Sequence, residues 1–537
     1  MRWDPAESKT TDTRGNSLSG KRETPWSTRS EETRSATGIQ RSNPLMNDRG
    51  ESDKSVVPEK QPNKRDAMAP RAEAVEGRDL TEGKSPQQNA CRTQSRESAH
   101  SALEAIRKAA KADKKMRFTA LLHHIYNIEA LTEAFYKLKR KAAAGVDGET
   151  WHHYEERLAE NLQDLSERVR SGAYRAKPVK RVYILKSDGR QRPLGVPALE
   201  DKIVQKAASE ILNAIYEADF IGFSYGFRPG RSQHNALDAL YVGFMKRRVN
   251  WVLDADIRDF FGSLNREWLI KFIEHRIGDK RVVRLIQKWL NAGVLEDGKR
   301  IHSDSGTVQG GNISPILANI YLHYVFDLWT QQWRSRYASS DVIVVRFCDD
   351  FIVGFHYKRD AERYLEELKA RLAKFKLELH PEKTRLIEFG RFVNDARKRR
   401  GLGKPETFNF LGFRHMCGVR KDGIFTVLRQ TVKKRMHAKL KEVKAELKRR
   451  MHMPIKDVGR WLRSVVAGHF NYYGVPTNGK QLNNFRHQII RYWHQTLKRR
   501  SQRTRITWAR MYQLADRWLP AASIKHPYPL ERFGVKT

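Results

Sequence analysis

The chain has 537 residues, and 102 Lys and Arg against 62 Asp and Glu give it a formal net charge of +40. A compact protein with that excess repels itself unless it binds a polyanion, so we expect a nucleic-acid or anionic-surface partner. No apolar run reaches the ~18 residues of a membrane span, and the first residues lack a secretory signal. The three cysteines lie far apart, which excludes a CxxC zinc ribbon and favours a cytoplasmic protein.

Residues 1–97 are rich in Ser, Thr, Arg, Glu, Gln and Asn and poor in large apolar residues, a composition typical of a disordered tail. Residues 98–174 show helical spacing of apolar residues at 101–114, 119–142 and 151–172, and therefore predict a helical region. Alternating residues at 179–185, a Ser-Asp-Gly turn at 187–189 and a return at 192–196 predict a β-hairpin.

Helices and short strands alternate through the rest of residues 175–420, the pattern of an α+β domain. The two clearest strands, 251–256 and 342–348, each lead into aspartate. From about Gln430 the chain becomes helical and basic, and 428–500 is predicted as a helical domain with residues 501–537 as a short C-terminal segment. Five apolar residues form one stripe of its first helix: Val432, Met436, Leu440, Val443 and Leu447.

Four aspartates are the candidate catalytic groups. Asp254 and Asp256 lie two apart on a strand and therefore point to one face. Asp349 and Asp350 are adjacent, so they can share a site only at a hairpin turn. Carboxylates gathered at such a tip repel one another unless a divalent metal is bound, and paired magnesium ions catalyse phosphoryl transfer. The alternative is that these acids are ordinary turn residues.

A series of motifs at characteristic spacing identifies the family that this chain resembles. They are AAGVDGETW at 143–151, YILKSDGRQRPLGVPALEDKIVQ at 183–205, FSYGFRPGRSQHNAL at 223–237, WVLDADIRDFF at 251–261, GTVQGGNISPILANIYL at 306–322, RFCDDFIVGF at 346–355, HPEKTRLIEFG at 380–390 and FNFLGFRH at 408–415. From about residue 82 to 537 the chain resembles the reverse transcriptase–maturases encoded by bacterial group II introns. It is most similar to the branch that lacks an endonuclease domain.

The resemblance implies a right-hand polymerase in which residues 98–174 form an N-terminal helical extension and 175–420 the fingers and palm. Residues 428–500 would be the thumb or maturase domain, and 501–537 a segment that binds DNA. The implied activity is RNA-directed DNA polymerization with two Mg²⁺ ions, together with assistance to intron splicing and retrotransposition. The implied partners are group II intron RNA, an RNA template with a DNA primer, target DNA and deoxynucleoside triphosphates.

The resemblance also implies roles for individual residues. Asp256 and Asp349 would be the principal metal ligands and Asp350 the third catalytic acid, with Asp254 as a weaker candidate for the role of Asp256. A second group of residues would contact the incoming nucleotide: Lys186 and Arg192 at its triphosphate, Phe261 or its neighbour Phe260 against a 2′-hydroxyl, and Gln309 and Gly310 along the pocket.

Nucleic-acid contacts are expected in two places. Arg228 would contact template or nucleotide, or would form an ordinary arginine–carboxylate pair. Residues 429–450 carry ten Lys or Arg and two acids, so this helix either binds RNA phosphates, with Lys433, Lys434 and Arg435 as candidates, or only presents a solvated face.

Three departures from the family pattern put polymerase efficiency in question. Phe347-Cys348 stands where most relatives have Tyr-Ala, Val308 replaces a proline, and Gly262 stands where many have an acid. Two other functions stay open at this stage: a reverse transcriptase of a defence or diversity-generating system, and a splicing-only RNA-binding maturase.

Overall fold

A computed structural model describes residues 101–185, 191–296, 298–301, 306, 310–501 and 505–532. None of the helices in these ranges is long and apolar enough to cross a membrane. The predicted tail, residues 1–97, lies outside them.

The helices are α1 (101–112), α2 (Leu122–Tyr126), α3 (Ile128–Lys137), α4 (Trp151–Glu156), α5 (Leu158–Ser171), α6 (Leu199–Tyr216), α7 (Gln233–Lys246), α8 (Phe260–Ser263), α9 (Arg266–Glu274), α10 (Lys280–Asn291), α11 (Ser314–Leu322), α12 (Leu328–Tyr337), α13 (Lys358–Lys374), α14 (Val393–Arg399), α15 (Lys433–Arg449), α16 (Ile455–Tyr473), α17 (Gly479–Lys498), α18 (Trp508–Trp518) and α19 (Pro529–Arg532). The strands are β1 (Val179–Leu185), β2 (Gln191–Val196), β3 (Trp251–Asp256), β4 (Val294–Glu296), β5 (Lys299–Ile301), β6 (Val342–Phe347), β7 (Asp350–Phe355), β8 (Arg385–Glu388), β9 (Phe408–Phe410), β10 (Phe413–Val419) and β11 (Phe425–Thr431). A π-helical turn, His323–Asp327, joins α11 to α12.

The N-terminal region is helical as predicted, but two of its helices are divided. The helix predicted over 119–142 is interrupted at Asn127, whose side chain accepts a hydrogen bond from the Ala130 amide and so caps a new helix. The helix predicted over 151–172 is interrupted at Arg157, which has a non-helical backbone (φ −123°, ψ 39°). Apolar spacing alone could not reveal either interruption, because the stripe continues through both.

The predicted hairpin is present as β1 and β2, which pair antiparallel from Lys180–Val196 to Leu185–Gln191. It belongs to a four-stranded sheet of order β2-β1-β4-β5. The residues that connect β1 to β2, 186–190, lie outside the described part of the chain.

The central sheet has the order β6-β7-β3-β8, and all its neighbouring strands are antiparallel. One face packs into a large core shared with the N-terminal helices and includes Leu253, Phe351 and Val353. The other face contributes Val252 and Ile352 to a second core under α7 and the three-stranded sheet β11-β10-β9. Because both faces are covered, the strands are fixed in position, and the acids at their ends are held on a rigid support.

The predicted basic helix begins later than expected. Strand β11 continues to Thr431, and α15 starts at Lys433. Four members of the predicted stripe, those after Val432, are buried in a third core formed by α15 to α18. Met511, Ala515 and Leu519 belong to this core, so the helical bundle continues past the expected boundary at residue 500 because α18 presents an apolar face to it.

The helical bundle contacts the rest of the protein at several points, among them the Thr431 amide, which donates to Asn478 Oδ1 at 3.0 Å. At its start the Val432 amide donates to the Gly412 carbonyl (3.1 Å), and the Tyr472 hydroxyl donates to the Leu411 carbonyl (2.8 Å). At its end the chain returns to α7, where the His526 ring stacks on His234 at 3.8 Å between centroids. Helix α19 then packs against the second core.

Candidate active site

The central sheet brings two of the predicted acids together. Asp256 on β3 pairs with Asp350 on β7, and Asp350 pairs with Phe347 on β6. Directly opposed residues of antiparallel strands point to the same face, so these three side chains form one cross-strand row. Asp254 lies on the same face, two residues before Asp256.

The turn between β6 and β7 consists of Cys348 and Asp349 alone. Cys348 has φ +60°, the left-handed conformation that two-residue hairpin turns require. The Asp349 carbonyl accepts a hydrogen bond from the Ile257 amide at 3.3 Å, which ties the turn to the end of β3. The hairpin turn that adjacent acids needed is therefore present, with Asp349 at its tip and Asp350 beginning the return strand.

Three of the candidate acids, Asp254, Asp349 and Asp350, have raised pKa values. Burial raises the pKa of Asp349, and the nearby Asp256 raises it further. Burial also raises the pKa of Asp350 well above its ordinary value, and the other three carboxylates add to this rise. Because a divalent cation removes such repulsion, and magnesium prefers oxygen ligands, the chemistry of these donors fits a divalent metal.

Two cations from the segment before and within β8 contact the acids of β3. Lys383 forms an ion pair with Asp256, and Arg385, which lies opposite Asp254 in the sheet, donates to its carboxylate at 3.0 Å. Within the described residues no three carboxylate, imidazole or thiol groups are arranged to hold a metal ion. For Asp256 to bind a metal ion, Lys383 would have to move away from the Asp256 carboxylate. The Asp254 carboxylate is already paired with Arg385, which lies in the same sheet.

A buried arginine, Arg346, contacts the turn between β6 and β7. Arg346 is fully buried and pairs with the equally buried Asp327 through two bonds of 2.5 and 2.6 Å. Its remaining N–H groups donate to the Cys348 carbonyl (3.1 Å), to Asn319 Oδ1 (3.2 Å) and to Ser224 Oγ (2.8 Å). The backbone of the turn is thus held by a charge-assisted hydrogen bond from a group that cannot move into solvent.

The hairpin β1–β2 contributes one cation to the electrostatics of the turn. Burial and Asp256 raise the pKa of Asp349, whereas the positive charge of Arg192 on β2 acts in the opposite direction. Lys186, the other cation predicted to bind triphosphate, lies outside the described residues.

Gly310 occupies a place that no other residue could take. Its backbone has φ +122°, and a Cβ atom there would lie 2.4 Å from the Gly195 carbonyl oxygen of β2. The chain before α11 is therefore in direct backbone contact with the hairpin, as expected for the wall of a nucleotide pocket. Gln309, its predicted partner in the pocket, lies outside the described residues.

The two consecutive phenylalanines have different environments. Phe260 is 1% exposed and packs in the large core, with its ring 6.4 Å from that of Tyr321. Phe261 is only partly buried at the edge of this core. Phe261 is therefore the one of the pair that could contact a bound sugar.

Comparisons with known proteins agree with this geometry. Residues 184–415 match the family described as "Reverse transcriptase (RNA-dependent DNA polymerase)". Protein YkfC of Escherichia coli strain K12 is 35% identical over 320 residues, which cover 53% of this chain and 83% of that protein. Group II intron-encoded protein LtrA of Lactococcus lactis subsp. cremoris is 35% identical over 239 residues, 44% of this chain and 39% of LtrA. An uncharacterized 91 kDa protein in the cob intron of Schizosaccharomyces pombe is 37% identical over 176 residues, 33% of this chain and 21% of that protein.

The chain belongs to the group II intron-encoded reverse transcriptases and maturases. The family resemblance predicted from the motifs is confirmed. Members of this family combine RNA-directed DNA polymerization with a role in intron splicing, and the reverse transcriptase domain has a right-hand polymerase fold. Reverse transcriptases generally use divalent metal ions, in keeping with the carboxylates described above.

Arg228 of this reverse transcriptase is not available to template or nucleotide. It is 4% exposed, forms an ion pair with Glu217 at 2.6 Å, and donates to the Ile221 and Ser224 carbonyls. The expected nucleic-acid contact is therefore replaced by the arginine–carboxylate pair that was its alternative. Motif matching did not separate the two because both require an arginine at this position.

The three cations proposed on α15 of the reverse transcriptase, Lys433, Lys434 and Arg435, are all exposed. Arg435 points back toward the sheet, where a Cβ atom on Gly412 would lie 2.8 Å from its guanidinium, and it lowers the pKa of Asp350 against the larger effect of burial. Arg435 therefore also acts on Asp350, and all three exposed cations stay candidates for contacts with RNA, with Lys433 and Lys434 as the two that test this role most directly.

Sequence reasoning missed Lys383, Arg385, Arg346 and Asp327. A signal existed for Arg385, because a cation on a strand that pairs with β3 can face its acids. Lys383 lies in the turn before that strand, where no spacing rule gives its direction. No local pattern reveals the pair of Arg346 and Asp327, since they come from different elements that meet only in the folded core.

Proposed function

We propose that this reverse transcriptase extends a DNA primer on an RNA template at the cross-strand row. Asp256 and Asp349 would be the principal ligands of two Mg²⁺ ions, and Asp350 the third catalytic acid. The observation that supports this assignment is the register of β3 with β7, which sets Asp256 opposite Asp350 and next to the turn that carries Asp349.

In the proposed reaction the primer 3′-oxygen bonds to the α-phosphorus of a deoxynucleoside triphosphate, and the bond to the β-phosphate oxygen breaks to release pyrophosphate. When bound, the two metal ions supply stabilisation of charge on the attacking and leaving oxygens. Arg192 and Lys186 bind the triphosphate by bidentate and point-charge contacts. Gly310 and Gln309 line the pocket, and the ring of Phe261 lies beneath the sugar and excludes a 2′-hydroxyl.

The domains predicted from the sequence are part of the same proposal. Residues 98–174 form the N-terminal extension, 175–420 the fingers and palm, and the bundle that starts at Lys433 the thumb. Intron RNA binds along the exposed face of α15, where Lys433 and Lys434 contact phosphates and release counterions. Target DNA is bound by the C-terminal segment, 501–537, which includes the exposed rings of Trp508 and Tyr512 on α18.

The test replaces single acids on a primed RNA template with magnesium. Asp349→Asn and Asp256→Asn should abolish DNA synthesis, because each removes a charge that the metals require. Asp422→Asn is the matched control: this acid also lies in a hairpin turn, but between β10 and β11 with Arg420 as its partner. Residual synthesis by either active-site variant within about tenfold of the wild-type rate would rule out the assignment.

Asp254→Asn tests which acid of β3 is the ligand. Since Asp254 is held by Arg385, this variant should keep measurable synthesis when Asp256→Asn has none. All of these variants should bind intron RNA with unchanged affinity, because the cations of α15 are intact. The opposite ranking of the two acids would transfer the metal role to Asp254.

A further inference from the structure

The central sheet has a second end, opposite the catalytic acids. Strand β3 runs from Trp251 to Asp256, and Glu388 of β8 lies opposite Trp251. At about 3.3 Å per residue, the Trp251 end of the strand lies about 17 Å from Asp256. Because both faces of the sheet are covered by core residues, a duplex bound at the acids would not reach across the sheet to this end.

A basic segment follows β8 at this end of the sheet. Residues 391–404 contain six Lys or Arg and one acid. The segment is anchored by Glu388, which is 8% exposed and accepts hydrogen bonds from Arg397 at 2.7 Å and from Arg400 at 2.8 and 2.9 Å. Arg397 also donates to the Gly403 carbonyl at 2.9 Å, so α14 and the turn after it are held together.

Three cations of this segment have no acid to balance their charge. Lys398, Arg399 and Lys404 are exposed, and no carboxylate in the described part of the chain forms an ion pair with any of them. Glu388 is already paired with two other arginines. Neighbouring like charges repel one another, and a polyanion that contacts several of them at once removes this repulsion. The segment therefore has the chemistry of an anion-binding surface.

Exposed rings lie beside these cations and at the end of β7. Phe392, at the start of the basic segment, is 50% exposed, and Tyr357, two residues after β7, is 43% exposed. Arg359 lies over the Tyr357 ring at 5.5 Å, and Lys358 lies over the Trp251 ring at 5.5 Å. Since β7 and β8 are the two neighbours of β3, they end about 10 Å apart, and the two groups of residues share one end of the sheet.

We call this set of residues the distal surface; its members are Tyr357, Lys358, Arg359, Phe392, Lys398, Arg399 and Lys404. We propose that the distal surface binds an unpaired segment of RNA while primer and template occupy the catalytic end. Proteins hold unpaired strands by placing cations along the backbone and aromatic rings against the bases, and arginine planes can stack on bases in the same way. A duplex presents its phosphates but not the faces of its bases, so the exposed rings favour an unpaired strand.

The choice of RNA rests on the function proposed above, in which intron RNA is bound by the same protein as the primer and template. Arg435 on α15 lowers the pKa of Asp350 against the larger effect of burial, so the RNA contact proposed on α15 lies near the catalytic end. The distal surface would hold a different segment of the RNA at the other end of the sheet. Two separated contacts fix the orientation of a large RNA, whereas a single contact leaves it free to rotate.

The experiment measures the affinity of the full-length protein for a short unstructured RNA. A saturating primer–template hybrid with a dideoxy 3′ end occupies the acids throughout. The triple variant Lys398→Ala, Arg399→Ala, Lys404→Ala should flatten the slope of log affinity against log salt by about 2 units, since each phosphate contact with a single strand contributes about 0.7. Tyr357→Ala and Phe392→Ala should each weaken binding by about tenfold, as the loss of a stacked ring does.

The matched control replaces Lys369, Lys374 and Lys376 by Ala. These lysines are exposed in the second half of α13 and just after it, away from Lys358 at the start of that helix. The control changes the net charge by the same amount as the triple variant, and it should leave the slope unchanged.

Three results would overturn the proposal while wild-type protein still extends a primer. They are an unchanged slope in the triple variant, an equal decrease of the slope in the control, or a larger loss of affinity for a DNA strand of the same sequence. The second result would show an effect of net charge alone, and the third would assign the surface to DNA. Failure of the wild-type protein to extend any primer would instead refute the proposed function, so the two failures are distinguishable.

Discussion

The buried pair of Arg346 and Asp327 allows stability and catalysis to be separated. Arg346→Met or Asp327→Leu alone leaves a buried charge without its partner, which should destabilise the protein by about 3–5 kcal/mol. The double variant removes both charges and fills the space with apolar groups, so its stability should return close to that of the wild type.

Catalysis should not return with stability in the double variant. The Cys348 carbonyl loses its charged donor, and a hydrogen bond to a charged group contributes about 1.5–3 kcal/mol. If the turn shifts, and the transition state is destabilised by the full free energy of this hydrogen bond, kcat should fall roughly 10- to 150-fold, with a smaller change in KM. The assays are urea unfolding and steady-state primer extension on the same three variants.

A second buried pair supplies the control for this experiment. Arg429 and Asp238 are 1% and 4% exposed at their side chains and lie 3.0 Å apart, between β11 and α7. Replacing both by Met and Leu should likewise restore stability, and here kcat should stay at the wild-type value. A wild-type kcat in the variant without Arg346 and Asp327 would show that this pair only stabilises the core.

Other variants test separate features of the site. Gly310→Ala should greatly reduce nucleotide affinity, measured as KM for the triphosphate, because its Cβ would collide with the hairpin; an unchanged KM would show that the contact is not part of the pocket. Phe261→Ala should raise ribonucleotide incorporation, measured by alkali-sensitive product. Asp350→Asn should raise the unfolding temperature in chelator at neutral pH, because burial raises the pKa of this carboxyl and the amide avoids the cost of ionising it. The difference should shrink as the pH falls and vanish below about 3, where the acid is protonated in the folded and the unfolded state; a constant difference would contradict the reasoning. Reversing Lys433 and Lys434 to Glu should flatten the slope of log affinity against log salt for intron RNA by about 1.4 to 1.8 units, and an unchanged slope would place the RNA contact elsewhere.

The sequence predicted those features that depend on neighbours along the chain. The β1–β2 hairpin, the strands that carry Asp256 and Asp350, and the turn at Asp349 all follow from alternation, turn residues and the requirement that adjacent acids meet at a tip. The buried stripe of α15 likewise follows from helical spacing. These features are local, so the pattern contains the information.

Features that depend on distant contacts could not be predicted in this way. Arg228 and Arg435 carry the same charge as a phosphate-binding residue, and only the folded chain shows that Arg228 is buried against Glu217 and that the Arg435 guanidinium lies beside Gly412. The distal surface is equally invisible, because its cations and rings come from segments that follow different strands and meet only in the folded sheet.

The contacts of the helical bundle limit how it can move. A body joined to its neighbour by a single linker can swing in any direction, but this bundle contacts the rest of the protein at the Leu411–Gly412 turn, between Asn478 and Thr431, and between His526 and His234. Anchoring at several separate points prevents free swinging, because a large rotation would break these contacts together. If the bundle binds the duplex as proposed, it would therefore hold the duplex at a constant position over the acids while each nucleotide is added.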